Sequence, residues 1–537
     1  MTGTPDLAAR LFEIGNAAVP KLLTLQDRNP HSSSYGCFDR AWWHLRIKDF
    51  PSGMAQEFVL PLALAYRHNF AGNTLHQAPA LRDWIDAGIR FAARSAHRDG
   101  SCDDYYPFEK AAGATAFSLY AMVEAIPLAG LDPEPHLPFL VRRGRWLAEH
   151  MESGQLSNHE ALTANTLFRL AELADDAGLA EAAQRRLERA LSWQTEEGWF
   201  REYQGCDPGY LTLTLANLAE IEAKRPSAEL RAAIERGVDF LEELQPPDGW
   251  MGGEWTSRNT NNHFPHGLAL IGTWLPKAQQ INARAVAAMD PAPEWGDDHI
   301  IAHHSWSCLK AALIWSDEPE RAPSGDTRAH SHFPEAGLVL TRQGAWALLC
   351  ATKKGGAYRL YHGDKLIRSD TGLSVIRREG KKDINLVAHL WAEPSELTVE
   401  PGQVALGGVM GRAKAQQMTS FKLIVLRVLM LTLGRLKPDL VRQLLQRLLI
   451  TGGPKGDLRF ERRLSLSPDG LRAEDALVGP GEIAEVGIGP AQTSIYTVMS
   501  RVYHPPQLQP WEDLGEHLRP GSGERLRVER RFGAPEA

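Results

Sequence analysis

Six glycine-centred turns divide the first 320 residues into nearly equal lengths. Gly53, Gly100, Gly154, Gly198, Gly249 and Gly296 follow one another at spacings of 47, 54, 44, 51 and 47 residues. A period of this size marks a repeat architecture, in which no unit buries its apolar face alone. Each interval holds two segments with apolar residues at helical spacing. "LPFLVRRGRWLAEHM" before Gly154 and "LTANTLFRLAEL" after it form one such pair. Six pairs predict an α/α toroid of six helix hairpins over residues 1–325, with an open α-solenoid as the alternative.

If each glycine turn joins an outer helix to an inner one, the polar loops gather at one end of the ring. Those loops carry Asp103, Asp104, Tyr105, Tyr106, Asn158, His159, Tyr203, Tyr210, Arg258, Asn259, Asn262, His263, His266 and His299. The opposite connections, "LAGLDPEPHLP" and "DDAGLAEAA", read as plain turns. Chemistry is therefore expected at a single rim, on loops held by a rigid scaffold.

Past residue 330 the period changes. "AGLVLTRQGAWALLCATKK", "YRLYHGDKLIRSDTGLSVIRREG" and "LRFERRLSLSPDGLRAEDALV" alternate apolar and polar residues between turn signals, which predicts an antiparallel β-sandwich over 326–537. A basic helical hairpin interrupts it at about 420–450. There Lys422, Arg427, Arg435, Lys437, Arg442 and Arg447 stand among Leu, Ile, Val and Met. Such a hairpin packs on the sandwich, joins two copies, or makes a peripheral contact with an anionic membrane.

Charge and cysteine usage exclude several classes. A net charge of −7 over 537 residues argues against a nucleic-acid partner. Five scattered cysteines without a CxxC pair fit neither a disulfide framework nor a zinc site. No apolar run is long enough to span a bilayer. The first residues lack a signal-peptide pattern, so a cytoplasmic location, at most at the inner membrane face, is the expectation.

"SGQLSNHEALTANTL", residues 153–167, poses the functional question. Ser157 and Glu160 suffice for a capping box at the start of an inner helix. Asn158 and His159 are then surplus to capping. The order of motifs gives them a purpose. "LSNHEAL", "EYQGCDPGY", and "FPEAGLVLTR" followed by "LIRSDTGL" resemble segments of the heparinase II/III-like polysaccharide lyases. "YGCFDRAWWHLRIKDFPS", "YPFEKAAGATAF" and "SRNTNNHFPHG" are similar to a bacterial branch associated with surface polysaccharides.

The resemblance implies β-elimination next to a uronic acid in an acidic polysaccharide or lipid-linked glycan. Asn158 would neutralise the uronate carboxylate, with His159 as helper. Tyr210, with Tyr203 in reserve, would serve as base and acid if nearby positive charge lowers its pKa. Its histidine partner is open among His263, His266 and His362. Substrate contacts are expected from Arg258, Asn259, Asn262, Tyr105, Tyr106, Glu109 and Trp255. The family's His-dense sandwich segment is reduced to His362, so neither metal nor cofactor is implied. Three other readings stay open. A glycoside hydrolase would use two of Asp104, Glu109, Glu202, Asp207 and Glu254. The others are a uronate C5-epimerase and a non-catalytic glycan-binding or assembly protein.

Overall fold

The computed structural model describes residues 6–152, 154–202, 205–289, 301–315, 328–413, 419–437, 440–441, 456–490, 492, 508–521 and 523–533. The junction foreseen near residue 325 lies outside them.

Among the described residues six helices form an inner ring: Val59–Arg67, Ala112–Leu128, Ser157–Ala174, Pro208–Lys224, Pro265–Gly272 and Ile301–Ile314. Each packs on the next, and Ile301–Ile314 packs on Val59–Arg67, so the ring closes. Outside it stand Leu7–Ala17, Pro79–Ser95, Leu137–Glu149, Ala177–Leu191, Ala228–Leu244 and Pro276–Ala288. The two sets differ in composition for a physical reason. An inner helix such as "AGATAFSLYAMVEAIPL" is covered on nearly every side and is apolar all round. An outer helix such as "PALRDWIDAGIRFAARS" turns one stripe inward and a charged face to water.

Four inner helices also send polar groups to one cluster inside the ring. The Tyr120 hydroxyl donates to Glu220 at 2.9 Å, Asn165 Nδ2 at 2.7 Å and Arg169 Nη2 at 3.0 Å, and Lys310 closes the group. Burial alone would raise the Glu220 carboxyl, but Lys310 and Arg169 hold it well below the usual range.

The turn glycines explain the repeat. Gly100, Gly154, Gly198 and Gly249 all lie at φ between 82° and 102°, where a side chain is strained. At Gly100 a Cβ would also fall 2.7 Å from the Arg143 backbone nitrogen of an outer helix. Gly53 does not belong to this set, since its φ is −73°. The equivalent position is Gly36, at φ 92° and with its missing Cβ 2.0 Å from Ala87 O. Gly296 lies outside the described residues.

The second half contains three five-stranded antiparallel sheets. The first is a meander of β1 (His330–Phe333), β2 (Leu338–Gln343), β3 (Trp346–Ala351), β4 (Ala357–His362) and β5 (Lys365–Asp370). The remaining strands are β6 (Leu373–Glu379), β7 (Lys382–Val387), β8 (Glu396–Glu400), β9 (Gln403–Val409), β10 (Gly411–Arg412), β11 (Arg459–Ser467), β12 (Gly470–Val478), β13 (Glu482–Ile488), β14 (Glu512–Asp513) and β15 (Glu524–Phe532). They order as β10-β7-β6-β13-β14 and β15-β12-β11-β9-β8. The meander is a middle layer. Leu338, Leu340, Leu349 and Tyr361 join the toroid core, while Val339, Leu348, Tyr358 and Leu360 join the sandwich core.

Of the interrupting hairpin, a helix at Ser420–Leu429 is described, continuing through a wider turn at Met430–Gly434. Residues 442–450 lie outside the described set.

The sandwich is pinned by a closed ring of four buried charges. Arg462 donates to Asp475 at 2.6 Å and Asp370 at 2.8 Å, and Arg530 to Asp370 at 2.9 Å and Asp475 at 2.6 Å. Burial pushes Asp370 up, but the two guanidinium groups outweigh it and hold the carboxyl well below its ordinary value. Removing one member leaves an uncompensated buried charge, which costs about 3–5 kcal/mol. Asp475→Ala is therefore expected to lower the urea midpoint by that amount of stability, with the slope of the transition unchanged.

Candidate active site

The inner helix at Ser157 does not start with a capping box. Leu156 pairs with Glu202 in a short antiparallel bridge, and Ser157 Oγ donates to Arg201 O at 2.6 Å. Glu160 turns away to Arg186 at 2.9 Å. The helix end is capped instead by a carboxylate 44 residues on. Glu202 Oε1 accepts from the Asn158 backbone N–H at 3.0 Å, and Oε2 from Asn158 Nδ2 at 2.8 Å. An anion at a helix N-terminus is favoured by the exposed N–H groups and the macrodipole.

Arg258 completes this contact, with Nη1 3.4 Å from Glu202 Oε2. Its guanidinium lies 4.4 Å from the centre of the Tyr210 ring. Asn262 sits beside the Tyr210 hydroxyl. The Tyr210 helix is held by Asp207, which accepts from the Tyr210 N–H at 3.1 Å and from the Thr260 hydroxyl at 2.7 Å. Asp207 thus fastens the Tyr210 turn to the loop bearing Arg258. Gly209 allows the approach, since a Cβ there would fall 2.7 Å from Asn262 O.

His159 stands on the other flank. Its Nδ1 is 2.6 Å from Glu152 Oε2, and its ring meets the edge of Phe117. Burial lowers its pKa, but Glu152 and Glu202 outweigh burial and the net shift is upward, which favours the imidazolium. For Tyr210 the expected downward shift is not found. Burial raises the phenol and outweighs Arg258, which acts in the opposite direction. The Glu202 and Asp207 carboxyls are likewise raised by burial.

The β-domain adds groups to this rim. Lys354, between β3 and β4, is fully buried and donates to Thr256 O at 2.7 Å and to the Asn259 side chain. Burial pushes its pKa down to about 7 against the pull of Glu254 and Asp207. The Trp391 ring lies over Gly205, 2.9 Å from where a Cβ would stand. Lys354→Met leaves the Thr256 carbonyl and the Asn259 side chain without their buried donor, so the urea midpoint is expected to fall by about 1–3 kcal/mol of stability with the far-ultraviolet circular dichroism unchanged.

Asn158, His159, Tyr210, Arg258 and Asn262 therefore converge, with Asn259 behind them. The other expected residues are placed elsewhere. His263 donates from Nε2 to Asn282 Oδ1 at 2.9 Å, the Asn282 amide being oriented by its bond to Pro265 O. It faces an outer helix rather than Tyr210. His266 is buried against Ser307 at 2.7 Å and Trp306. Trp255 is 1% exposed, donates to Gly252 O, and has no face for a sugar. His362 lies against Trp346 on the sandwich side of β4, because strand alternation sends Arg359 and Tyr361 to the toroid side. Glu109 accepts the backbone N–H groups of Asp104 and Tyr105 and so shapes that loop, leaving Tyr105 exposed and Tyr106 half-buried. Tyr203 lies outside the described residues. No group of three or more potential metal ligands occurs among the described residues.

No protein-family model and no curated protein matches the chain. Solved structures do. A xanthan lyase of Paenibacillus aligns over 91% of this chain and 47% of its own, with 12% identity and a TM-score of 0.54. A chondroitin AC lyase of Streptomyces coelicolor A3, solved with chondroitin sulphate, aligns over 91% of this chain and 68% of its own, with 11% identity and a TM-score of 0.56. The chain has the fold of the α/α-toroid polysaccharide lyases. It spans about half the length of the xanthan lyase.

Proposed function

We propose that this rim is the active site of a polysaccharide lyase that cleaves an acidic, uronate-containing glycan by β-elimination. One observation carries the reading: the Asn158 amide and the Arg258 guanidinium already hold a carboxylate, that of Glu202, beside a phenol. Groups that hold one carboxylate with charge-assisted hydrogen bonds are suited to hold another.

In this reading the uronate carboxylate takes the place of the Glu202 oxygens on Asn158 and Arg258, near the His159 ring. Asn158 is fully buried, so the loops bearing Glu202 and Arg258 must part to admit the sugar. With the carboxylate neutralised, the C5 proton becomes removable. Each preorganised donor aimed at the developing enolate is worth roughly 3–4 kcal/mol. The Tyr210 oxygen takes the C5 proton. The electron pair of the broken C5–H bond forms the C4–C5 double bond, the bond from C4 to the glycosidic oxygen breaks with its pair going to that oxygen, and the oxygen receives the proton from Tyr210. Because burial keeps Tyr210 a phenol, the reactive phenolate is a minor form at neutral pH. The rate is expected to climb through pH 8–9 and to level only above the ordinary tyrosine value of about 10.

The test is ultraviolet absorbance of the unsaturated uronate, with purified protein and a panel of uronic-acid polysaccharides. A rise abolished by Tyr210→Phe supports elimination at this rim. Chain fragments without absorbance would sink it and favour a hydrolase.

A further inference from the structure

We propose that the Ser420–Leu429 helix and its continuation to Lys437 form a docking surface for an anionic lipid bilayer. None of the ten residues of this helix is buried. Phe421 is 74% exposed, Ile424 61%, Val428 57% and Leu436 80%. A contiguous exposed apolar surface of this kind marks a site of interaction.

The helix is fixed beside the toroid rim. Arg427 pairs with Asp49 at 2.9 Å and lies 5.5 Å from the Phe50 ring, and Arg435 lies 5.6 Å from the Phe108 ring. The loop it grips presents Leu45 at 53% and Ile47 at 75% exposure, so the apolar surface runs from helix onto loop.

Charge identifies the occupant. Residues 420–437 contain Lys422, Arg427, Arg435 and Lys437 and no acidic residue, and Arg46 precedes Ile47. Of the neighbouring cations, Arg427 is held by Asp49 and Lys48 by Asp39 at 2.8 Å, and the charge offered to a partner is that of Lys422, Arg435, Lys437 and Arg46. A second copy joined across a two-fold axis would set these cations against their own images. An anionic bilayer takes both the apolar and the cationic groups. The segment lies in the interface and does not cross it, since no helix among the described residues is long and apolar enough to span a membrane. Phe108 belongs to the loop leading to Gly113, whose missing Cβ would fall 2.7 Å from the His159 ring. A docked bilayer would therefore lie next to the rim and favour substrates carried on lipid.

The full chain would be sedimented with vesicles of phosphatidylcholine alone and with roughly one third phosphatidylglycerol. Ile424→Asp/Val428→Asp and Lys422→Glu/Lys437→Glu would run beside it, with urea midpoints confirming that each variant is folded. Binding to the anionic vesicles at least tenfold stronger than to the neutral ones, and at least tenfold weaker in both variants, is expected. No binding by the parent chain, equal binding to neutral vesicles, or equal binding by the aspartate variant would overturn the proposal. A dimer that the aspartates dissociate, without vesicle binding, would assign the surface to a second copy and overturn it too.

Discussion

Tyr210→Phe is expected to lower the elimination rate by 10³-fold or more while leaving stability within about 1 kcal/mol of the parent. The substitution removes one oxygen and keeps the ring beneath Arg258, so the cation–π contact survives. What disappears is the atom that moves the proton, and positioned proton transfer is worth roughly 10²–10⁴-fold. Glycan affinity, read by calorimetry, should change little. Asn158→Ala behaves differently. It takes a donor from both the substrate carboxylate and Glu202, so a loss of roughly 10²–10³ in rate should come with a lower urea midpoint. Arg258→Lys tests the remaining group. A lysine cannot offer two parallel N–H bonds or stack on Tyr210 in the same way, so KM should rise more than kcat falls. If Tyr210→Phe retained the parent rate, the phenol would have no part in proton transfer, and elimination at this rim would be refuted.

The helices of the toroid were legible because their cause is local. Apolar spacing and left-handed glycine turns are written in short stretches, and the inner helices announce themselves by being apolar all round. Spacing alone could not separate Gly53 from Gly36, since the left-handed backbone and the close approach of Ala87 belong to the fold. The site was legible by residue type and illegible by partner. Asn158 stood out in "LSNHEAL", yet what it holds is Glu202, 44 residues away; nothing in "WFREYQG" marks that glutamate as a cap for another helix. The Asp-Pro-Gly run at 207–209 does signal a helix start, and that start positions Tyr210. His362 was misplaced because β4 is buried on both faces, between toroid and sandwich. A strand apolar on both sides gives no alternation from which to tell the faces apart. Lys354 could not be found from sequence, because a lysine in a Lys-Lys pair between strands reads as a solvated turn until the toroid closes over it.

Acid should destabilise this protein before its ion-paired carboxylates are protonated. His263 is pushed down by burial to about 4, and His266, His304 and His389 to about 3. In the unfolded chain each titrates near 6.5. Between 6.5 and the folded value the unfolded state binds more protons, so stability falls as pH falls. At pH 5 each imidazole costs roughly 2 kcal/mol, and the four together roughly 8 kcal/mol, comparable with the whole stability of a typical domain. Glu220 and Asp370, held low by their cations, keep their contribution down to about pH 4. The raised Glu202, Asp207 and Asp248 carboxyls and the raised His159 gain protons on folding and act against the loss. The urea midpoint is therefore expected to drop steeply between pH 6.5 and 5, and His304→Asn should flatten that slope by about one proton. An equal midpoint at the two pH values would mean that these imidazoles are hydrated and charged inside the fold. The loss is also local. His263 and His266 hold the start of an inner helix next to Asn262, and His389 sits two residues from the Trp391 that covers Gly205. Protonation thus strikes the rim and its β-domain cover together, so activity should fail at a higher pH than the helical signal does.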